Sequence, residues 1–513
     1  PIGSKENTSF IFSGKTSYLD KSSELFYKYP ILSFDEKGLP YSYTDLYGKV
    51  SSKGKNGSKI SVFGFNFTDN VNYEGISELD WDSKGVGSEF ILIPSGNPVL
   101  IEGNFAYSSY QIRLQEENLR DRTSAINGFN GGLGFTYFKG DDEIKYGIEI
   151  IGFSTDFYYF NAANREVSQQ ENTTELAGYI RYKKKFGNLV IDPSFRIHYY
   201  ASLSTPSFEP RFGAKYNVTD NFRLKLAAGV YSQNLIAANS DRDVVNLFNG
   251  FISGPSTLQD EVTNINGEVR EVKHSLQKAN HFILGAEIDF TRRFSLNVEG
   301  YYKRFTQLTN INRNKVFDNP EPGLDPYLYL DYIIETGDAY GVDFVFNYDL
   351  PSINLYAVYS LGKTVRWDGV QEYSPVFDRR HNVNLVGSYK FGKTRLWEFD
   401  VRWNMGSGFP FTQTQGFYEQ YTFQNGTSTD IINTNGELGI VYGELNGGRL
   451  PYYHRLDMTL KREIILSTSS TLEANIGVTN AYNRENIFYF DRVNFERVNQ
   501  LPFMPSAGLK VNF

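Results

Sequence analysis

The sequence predicts an all-β chain, a transmembrane antiparallel β-barrel of about 20 strands. Three observations predict it: two-faced alternation from end to end, no apolar run long enough for a spanning helix, and tight turns that alternate with long loops. The 513 residues include 41 Phe, 37 Tyr and 46 Gly, yet mean hydropathy is −0.41 and only 40% of residues are hydrophobic. A soluble core for so many rings would need more apolar mass, so the rings belong on a surface. No stretch approaches the roughly 18 apolar residues that a helical span requires.

The strands follow one pattern in chain order. The first, about residues 8 to 18, sets Phe10, Phe12 and Tyr18 on one face. In "NFRLKLAAGV", Phe222, Leu224, Leu226 and Val230 oppose Arg223 and Lys225, and in "FSLNVEGYYK", Phe294, Leu296, Val298 and Tyr302 oppose Ser295, Asn297, Glu299 and Lys303. In "RLWEFDVRWNM", Trp397, Phe399, Val401, Trp403 and Met405 oppose Glu398, Asp400, Arg402 and Asn404. Charged groups on one whole face cannot sit unpaired in an apolar core. "RLDMTLK" and "LEANIGVT" repeat the pattern. The terminal "SAGLKVNF" turns Leu509, Val511 and Phe513 one way and Gly508, Lys510 and Asn512 the other. A 3.6-residue helix would scatter such sets around its axis, so each segment is a strand with one greasy and one wet face. A soluble sandwich or propeller also alternates, but the latter demands a repeat of 40 to 50 residues that is not found here.

Connections supply the topology. Tight-turn signals stand at 54–57, 94–97, 139–142, 185–188, 218–221, 290–293, 349–352, 391–394 and 467–470, each rich in Gly, Asn, Asp, Pro or Ser or short and charged. Between them lies room for an outgoing strand, a loop and a returning strand. The longest loops, about 235–275, 306–330 and 412–450, then all fall on the opposite rim. Short turns on one rim and long loops on the other is the asymmetry of an outer-membrane barrel.

Composition excludes other classes. A net charge of −8 and a pI of about 5.4 argue against a nucleic-acid partner, whose phosphates call for clustered Lys and Arg. With no cysteine there is no disulfide, thiolate metal site or cysteine nucleophile. No Gly-x-Ser-x-Gly elbow is present, no histidine pair has metal-ligand spacing, and "GSGFPF" reads as a strand end entering a loop because no helix follows it. The expectation is a protein that is not an enzyme and holds no cofactor. His198 shares the wet face with Arg196, while His381 and His454 have outward parity near the loop rim, where ring side chains suit the headgroup zone. Arg380, Asn382, Glu398, Asp400 and Arg402 are the candidate lumen-lining residues, either lining a cargo route or serving as paired wall charges. Phe417, Tyr418 and Tyr421 are candidate loop contacts for a ligand, with loop-to-loop packing as the alternative.

Several stretches resemble the barrel of TonB-dependent outer-membrane receptors of the Bacteroidota type. They are "LPYSYTDLYGK" (39–49), "FEPRFGAKYNVTDNFRLKLAAGVYSQN" (208–234), "GDAYGVDF" (337–344), "FDRRHNVNLVGSYKFG" (377–392), "WNMGSGFPFTQTQGFYE" (403–419) and "NIFYFDRVNFERVNQLPFMPSAGLKVNF" (486–513). They occur in the family's order across nearly the whole chain. Ser506, Gly508, Val511 and the final Phe513 resemble the C-terminal barrel-assembly signal. The resemblance implies a bacterial outer-membrane location, outer-membrane lipids as surroundings, and uptake of a ligand. It also implies a 22-stranded barrel, a plug domain and an N-terminal segment that contacts TonB. Residues 1–513 read as a single barrel domain with plug and first hairpin outside it, since "PIGSKENTSFIFSGKTSYLD" resembles the turn into the third strand. The alternative is a scaffold barrel in a multiprotein outer-membrane assembly, whose loops dock a surface lipoprotein or other outer-membrane subunits.

The assembly signal generates a first prediction. Deleting Phe513 should lower the amount of chain reaching the outer-membrane fraction while leaving synthesis and secretion intact. If the residue contributes only buried apolar area, about 1.5 to 3 kcal/mol, the deletion mutant will instead accumulate there at normal levels.

Overall fold

The structure, a computed structural model, describes residues 7–512 apart from 18–22, 24–39, 74–76, 117–119, 162, 164, 242, 256–257, 321, 422–435 and 469. Twenty strands succeed one another in a single antiparallel meander. The first ten are β1 Thr8–Thr16, β2 Tyr41–Lys53, β3 Lys59–Tyr73, β4 Ser77–Leu92, β5 Val99–Glu116, β6 Arg122–Lys139, β7 Asp142–Phe160, β8 Glu166–Phe186, β9 Leu189–Tyr200 and β10 Thr205–Asn217. The second ten are β11 Phe222–Gln233, β12 Gln277–Thr291, β13 Phe294–Ile311, β14 Tyr332–Asp349, β15 Ile353–Trp367, β16 His381–Phe391, β17 Trp397–Gly406, β18 Tyr453–Ile465, β19 Thr471–Thr479 and β20 Met504–Asn512. A two-residue segment, Glu372–Tyr373, adds to the end of β15. Among the described residues β1 pairs with β2 and β20 with β19, leaving a seam between the first and last strands.

All nine tight turns read from the sequence join strands on one rim. The long connections 234–276, 312–331, 407–452 and 480–503 all lie on the other. On that side β3 ends at Tyr73 and β4 begins at Ser77, and β5 ends at Glu116 and β6 begins at Arg122. Likewise β7 ends at Phe160 and β8 begins at Glu166, and β9 ends at Tyr200 and β10 begins at Thr205, separations short enough that the sequence reading did not distinguish them from the turns below. Two of these separations, between β5 and β6 and between β7 and β8, lie between strands of 18 to 21 residues.

Wall length and bilayer thickness do not match, and the side chains record it. About 9 to 11 tilted residues cross the hydrocarbon, whereas β7 has 19 and β8 has 21. Near the turns the outward residues are Tyr146, Ile148, Ile150, Leu176 and Ile180, with Ile148 64% exposed. Farther along, the outward positions become Ser154, Asp156, Ser168, Gln170, Asn172 and Thr174. The inner face changes in the opposite sense. It carries Glu143, Lys145, Glu149 and Arg181 near the turns, then Phe153, Phe157, Tyr159 and Val167 toward the loops. The register runs unbroken through the switch, so no bulge produces it. The strands leave the membrane about halfway along, and beyond that point water is outside and a packed interior is inside.

The last strands are short and stay within the membrane. In β17, Trp397, Phe399, Val401, Trp403 and Met405 point outward as the alternation predicts, and rings mark both ends. Trp397 stacks on Phe391 at the turn rim, while Trp403 Nε1 donates to Tyr482 Oη and Tyr482 meets His454 Nδ1 at 2.8 Å at the loop rim. Val401 lies between these girdles. Val401→Arg should destabilise the barrel by about 2 to 4 kcal/mol, the figure for a cation at the midplane. The inward Asp400→Asn should leave folding nearly unchanged, because Lys461 keeps Glu398 as a partner. Heat-modifiable gel mobility, lost in the first variant and kept in the second, checks the strand parity.

Candidate functional site

The lower lumen is lined by ion pairs that bridge strands, three of them across an intervening strand. Lys145 meets Glu102 at 2.8 Å, Arg196 meets Glu149 at 2.8 Å, Lys225 meets Glu299 at 2.7 Å and Arg223 meets Asp289 at 2.6 Å. Arg181 pairs with Asp192 in the same zone. A wall of this kind suits water or a polar occupant and cannot collapse into an apolar core.

The sequence-selected lumen residues fall into two places. Glu398 and Asp400 both take Lys461, at 3.2 and 2.6 Å, and Ser388 donates to Asp400 at 2.9 Å. These are paired wall charges near the turns. Arg402 lies inward between Val386 and Asp457 in the register. Asn382 sits opposite Gly406, and Arg380 lies 3.6 Å from Asp378, which Arg449 grips at 2.6 Å. Eight residues of β16, about 27 Å of strand, separate Asn382 from Lys390 opposite Glu398, so the five residues form no single cluster. Lys461 was the missing member, and the signal for it was cross-strand register rather than any local motif. Phe417 packs edge-on against Phe495 of another loop at 6.1 Å, Tyr418 is exposed over Gly439, and Tyr421 hydrogen bonds to Glu419. For Phe417 the contact seen is loop against loop. Ser506 and Gly508 point inward opposite Gly477 and Asn475, Val511 points outward opposite Leu472, and Phe513 lies outside the described residues.

The feature that sequence reasoning missed is a strap. Residues 234–276 leave β11, fold over the mouth and return into β12. On one flank the strap rests on the apolar upper wall. Phe248 and Ile252 are fully buried with Ile112, Leu114, Phe157, Tyr159 and Val167. Backbone bonds fix the same flank: Phe251 N donates to Ser124 Oγ at 2.8 Å, and Ser253 exchanges two bonds with Gln169. Arg122 ties Asp243 at 2.7 Å.

On the other flank the strap is held by a buried ionic cluster. Arg313 donates to Asp241 of the strap at 2.6 Å, to Glu335 of β14 at 2.7 Å and to Asp368 at 2.8 Å. Arg366 adds a contact of 3.3 Å to Glu335, and Tyr373 Oη donates to Glu335 at 2.7 Å. Two guanidiniums, from the connection after β13 and from β15, thus face three carboxylates, from the strap, β14 and the loop after β15. Burial opposes the charge on Arg313, but Asp241, Tyr373 and Glu335 outweigh it and hold its pKa well above the usual arginine value. Thr412 Oγ1 donates to the Asp241 carbonyl at 3.1 Å, and Trp367 Nε1 donates to the Thr263 carbonyl at 2.8 Å, so the long loop after β17 and the end of β15 join the same assembly.

A large meander barrel with charged lumen, outward apolar band, ring girdles and a loop-built mouth is the barrel fold of TonB-dependent outer-membrane receptors. Solved structures with this fold include the ferric citrate transporter FecA, at 14% identity over 92% of this chain and 70% of that one, with a TM-score of 0.57. The ferric-catecholate import receptor Fiu from Escherichia coli K12 matches at 10% identity, over 92% and 74%, with a TM-score of 0.60. The FrpB iron transporter from Neisseria meningitidis matches at 11% identity, over 100% and 77%, with a TM-score of 0.63. At these identities the likeness establishes the fold. No family model and no curated protein matches the chain.

Removing one partner of a buried, hydrogen-bonded charge leaves the others uncompensated, at a cost of about 3 to 5 kcal/mol. Arg313→Ala should therefore release the strap while the wall persists. Hydrogen exchange should rise across 234–276 and 312–331 with heat-modifiable mobility unchanged. Protection equal to that of the unmodified chain would show that the apolar flank alone holds the strap.

Proposed function

We propose that this chain is the barrel of an outer-membrane receptor that takes up a ligand through its lumen, energised from the inner membrane through TonB. The observation that supports it best is the combination of an ion-paired lumen with a structured mouth: the lower wall is built for a polar occupant and the upper wall for holding something in place. A plug domain fits the polar lumen as that occupant, its N-terminal extension carrying the TonB contact. A further hairpin fits the seam between β1 and β20, because strands in hydrocarbon need partners on both edges. Lipids of the outer membrane face the apolar band. The low-identity structural likenesses to transporters of iron compounds support a transport role and leave the ligand of this chain open.

A scaffold role is favoured by one observation, the exposed apolar side chains of Phe417, Leu438, Val441 and Phe495 on neighbouring loops, which suit docking by a surface lipoprotein or another outer-membrane subunit. The two readings part in cells. Deleting the gene should abolish accumulation of some compound from the medium, and a protonophore should abolish the same accumulation in unmodified cells. If the deletion leaves uptake of every medium component intact and disperses an outer-membrane complex instead, the importer reading fails and the scaffold reading stands.

A further inference from the structure

Beneath the strap, two adjoining hollows open from the inner face of β2–β10. One, of about 430 Å³, is lined by Tyr43, Phe67, Trp81 and Tyr110 with the carboxylate of Asp69. The other, of about 470 Å³, is lined by Phe65, Phe153 and Tyr200 with Glu175 and His198. Ser83 and Tyr110 belong to both, so the hollows share a wall, and the pair of them is termed the groove. Phe251 of the strap meets Tyr110 edge-on at 5.6 Å, and Asn234 and Leu235 of the strap line the second hollow.

The charge of this groove differs from that of the lumen below it. Lower down, carboxylates face lysines and arginines across the strands. The lining of both hollows includes no lysine and no arginine. Asp45 lies on the same inward face as Asp69, paired opposite Phe67, and adds negative charge beside the groove. Glu175 has only His198, which is 7% exposed and stacks on Tyr200 at 4.1 Å. Its Nε2 stands 3.1 Å from Glu175 and its Nδ1 4.0 Å from Glu209.

Aromatic faces beside carboxylates attract cations. Ring quadrupoles favour a positive charge over the face, most strongly for Trp and Tyr, and an ammonium whose charge is spread over methyl groups loses little hydration on entry. We infer that the groove under the strap is a binding site for an organic cation, with Trp81, Tyr43 and Tyr110 as the ring surfaces and Asp69 and Glu175 as the counter-charges. The inference rests on the reading of the mouth as a ligand route, and it names the class of ligand or ligand moiety that the route accepts.

Binding can be measured on the purified full chain in nonionic maltoside micelles, apart from uptake. Benzyltrimethylammonium serves as the probe, with benzyl alcohol as the neutral counterpart and benzenesulfonate as the anionic one, followed by calorimetry and by quenching of Trp81 fluorescence. The cation should bind about tenfold or more tightly than either counterpart, and Asp69→Asn should weaken it by about tenfold. Glu175→Gln should weaken it as well, and Asp80→Asn, on the outward face of β4, should not. Trp81→Phe should remove the quench while calorimetric binding persists, which places the probe in the groove. Heat-modifiable mobility confirms that each variant is folded. Equal or tighter binding of benzyl alcohol or benzenesulfonate, no binding of any probe, or affinity unchanged in both Asp69→Asn and Glu175→Gln would overturn the assignment. Since binding is read without transport, a cation site in a chain that moves nothing would sink the importer reading alone.

Discussion

A peptide group in hydrocarbon has no water to bond to, and every orphaned donor or acceptor costs several kcal/mol. This constraint dictates the rest of the molecule. It forces the wall into one meander in which each strand pairs with its neighbours, and among the described residues only β1 and β20 of the wall have a ladder partner on one side alone. It also frees the side chains. Because the backbone ladder holds the wall, the inner face needs no apolar core and can carry strand-bridging charges such as Arg196–Glu149 and Lys225–Glu299.

Strands that outrun the bilayer create a second environment with the solvent inverted. In β7 and β8 the same unbroken register takes Ile148 outward into lipid and, a few residues on, Phe157 inward into a packed interior. The membrane half is stabilised from outside, and the upper half by what fills the mouth. The strap is therefore less a surface loop than the core of the upper half, since Phe248 and Ile252 bury the rings that the wall would otherwise expose to water.

Which parts of this were legible in the sequence follows from the range of the signals. All nine turns were legible because turn residues, Gly, Asn, Asp, Pro and Ser or a short charged pair, act locally, and strand parity was legible because alternation needs only the next residue but one. The switch of face was present in "EIKYGIEIIGFSTDFYYF", where the apolar residues pass from Ile144, Tyr146 and Ile148 to Phe153, Phe157 and Tyr159. Without a height scale for the membrane that change of frame reads as noise. The long loop at 235–275 was legible as a connection, but its folding into a strap was not. Ile236, Phe248 and Ile252 follow no period, and Asp241 and Arg313 stand 72 residues apart, so only the register of β11 to β15 brings them together. The same distance dependence explains Lys461, whose partners Glu398 and Asp400 were recognised while it was not.

The two flanks of the strap are fastened by different physics, and the difference bears on how it could move. The apolar flank is non-directional: Phe248 can slide against Phe157 and Tyr159 and lose area gradually. The ionic flank is directional. Arg313 satisfies Asp241, Glu335 and Asp368 together, and any displacement that breaks one contact strands a buried charge. Its energy therefore rises steeply for small displacements, which fixes the strap in one position instead of a range. Water or charged groups that replaced the lost contacts would lower that cost. At the β11 end the strap is also fastened, where Asn234 Oδ1 accepts from Gly254 N and Ser232 is gripped by Glu209. That grip belongs to the wall, so release at Arg313 leaves the strap rooted beside the groove it covers.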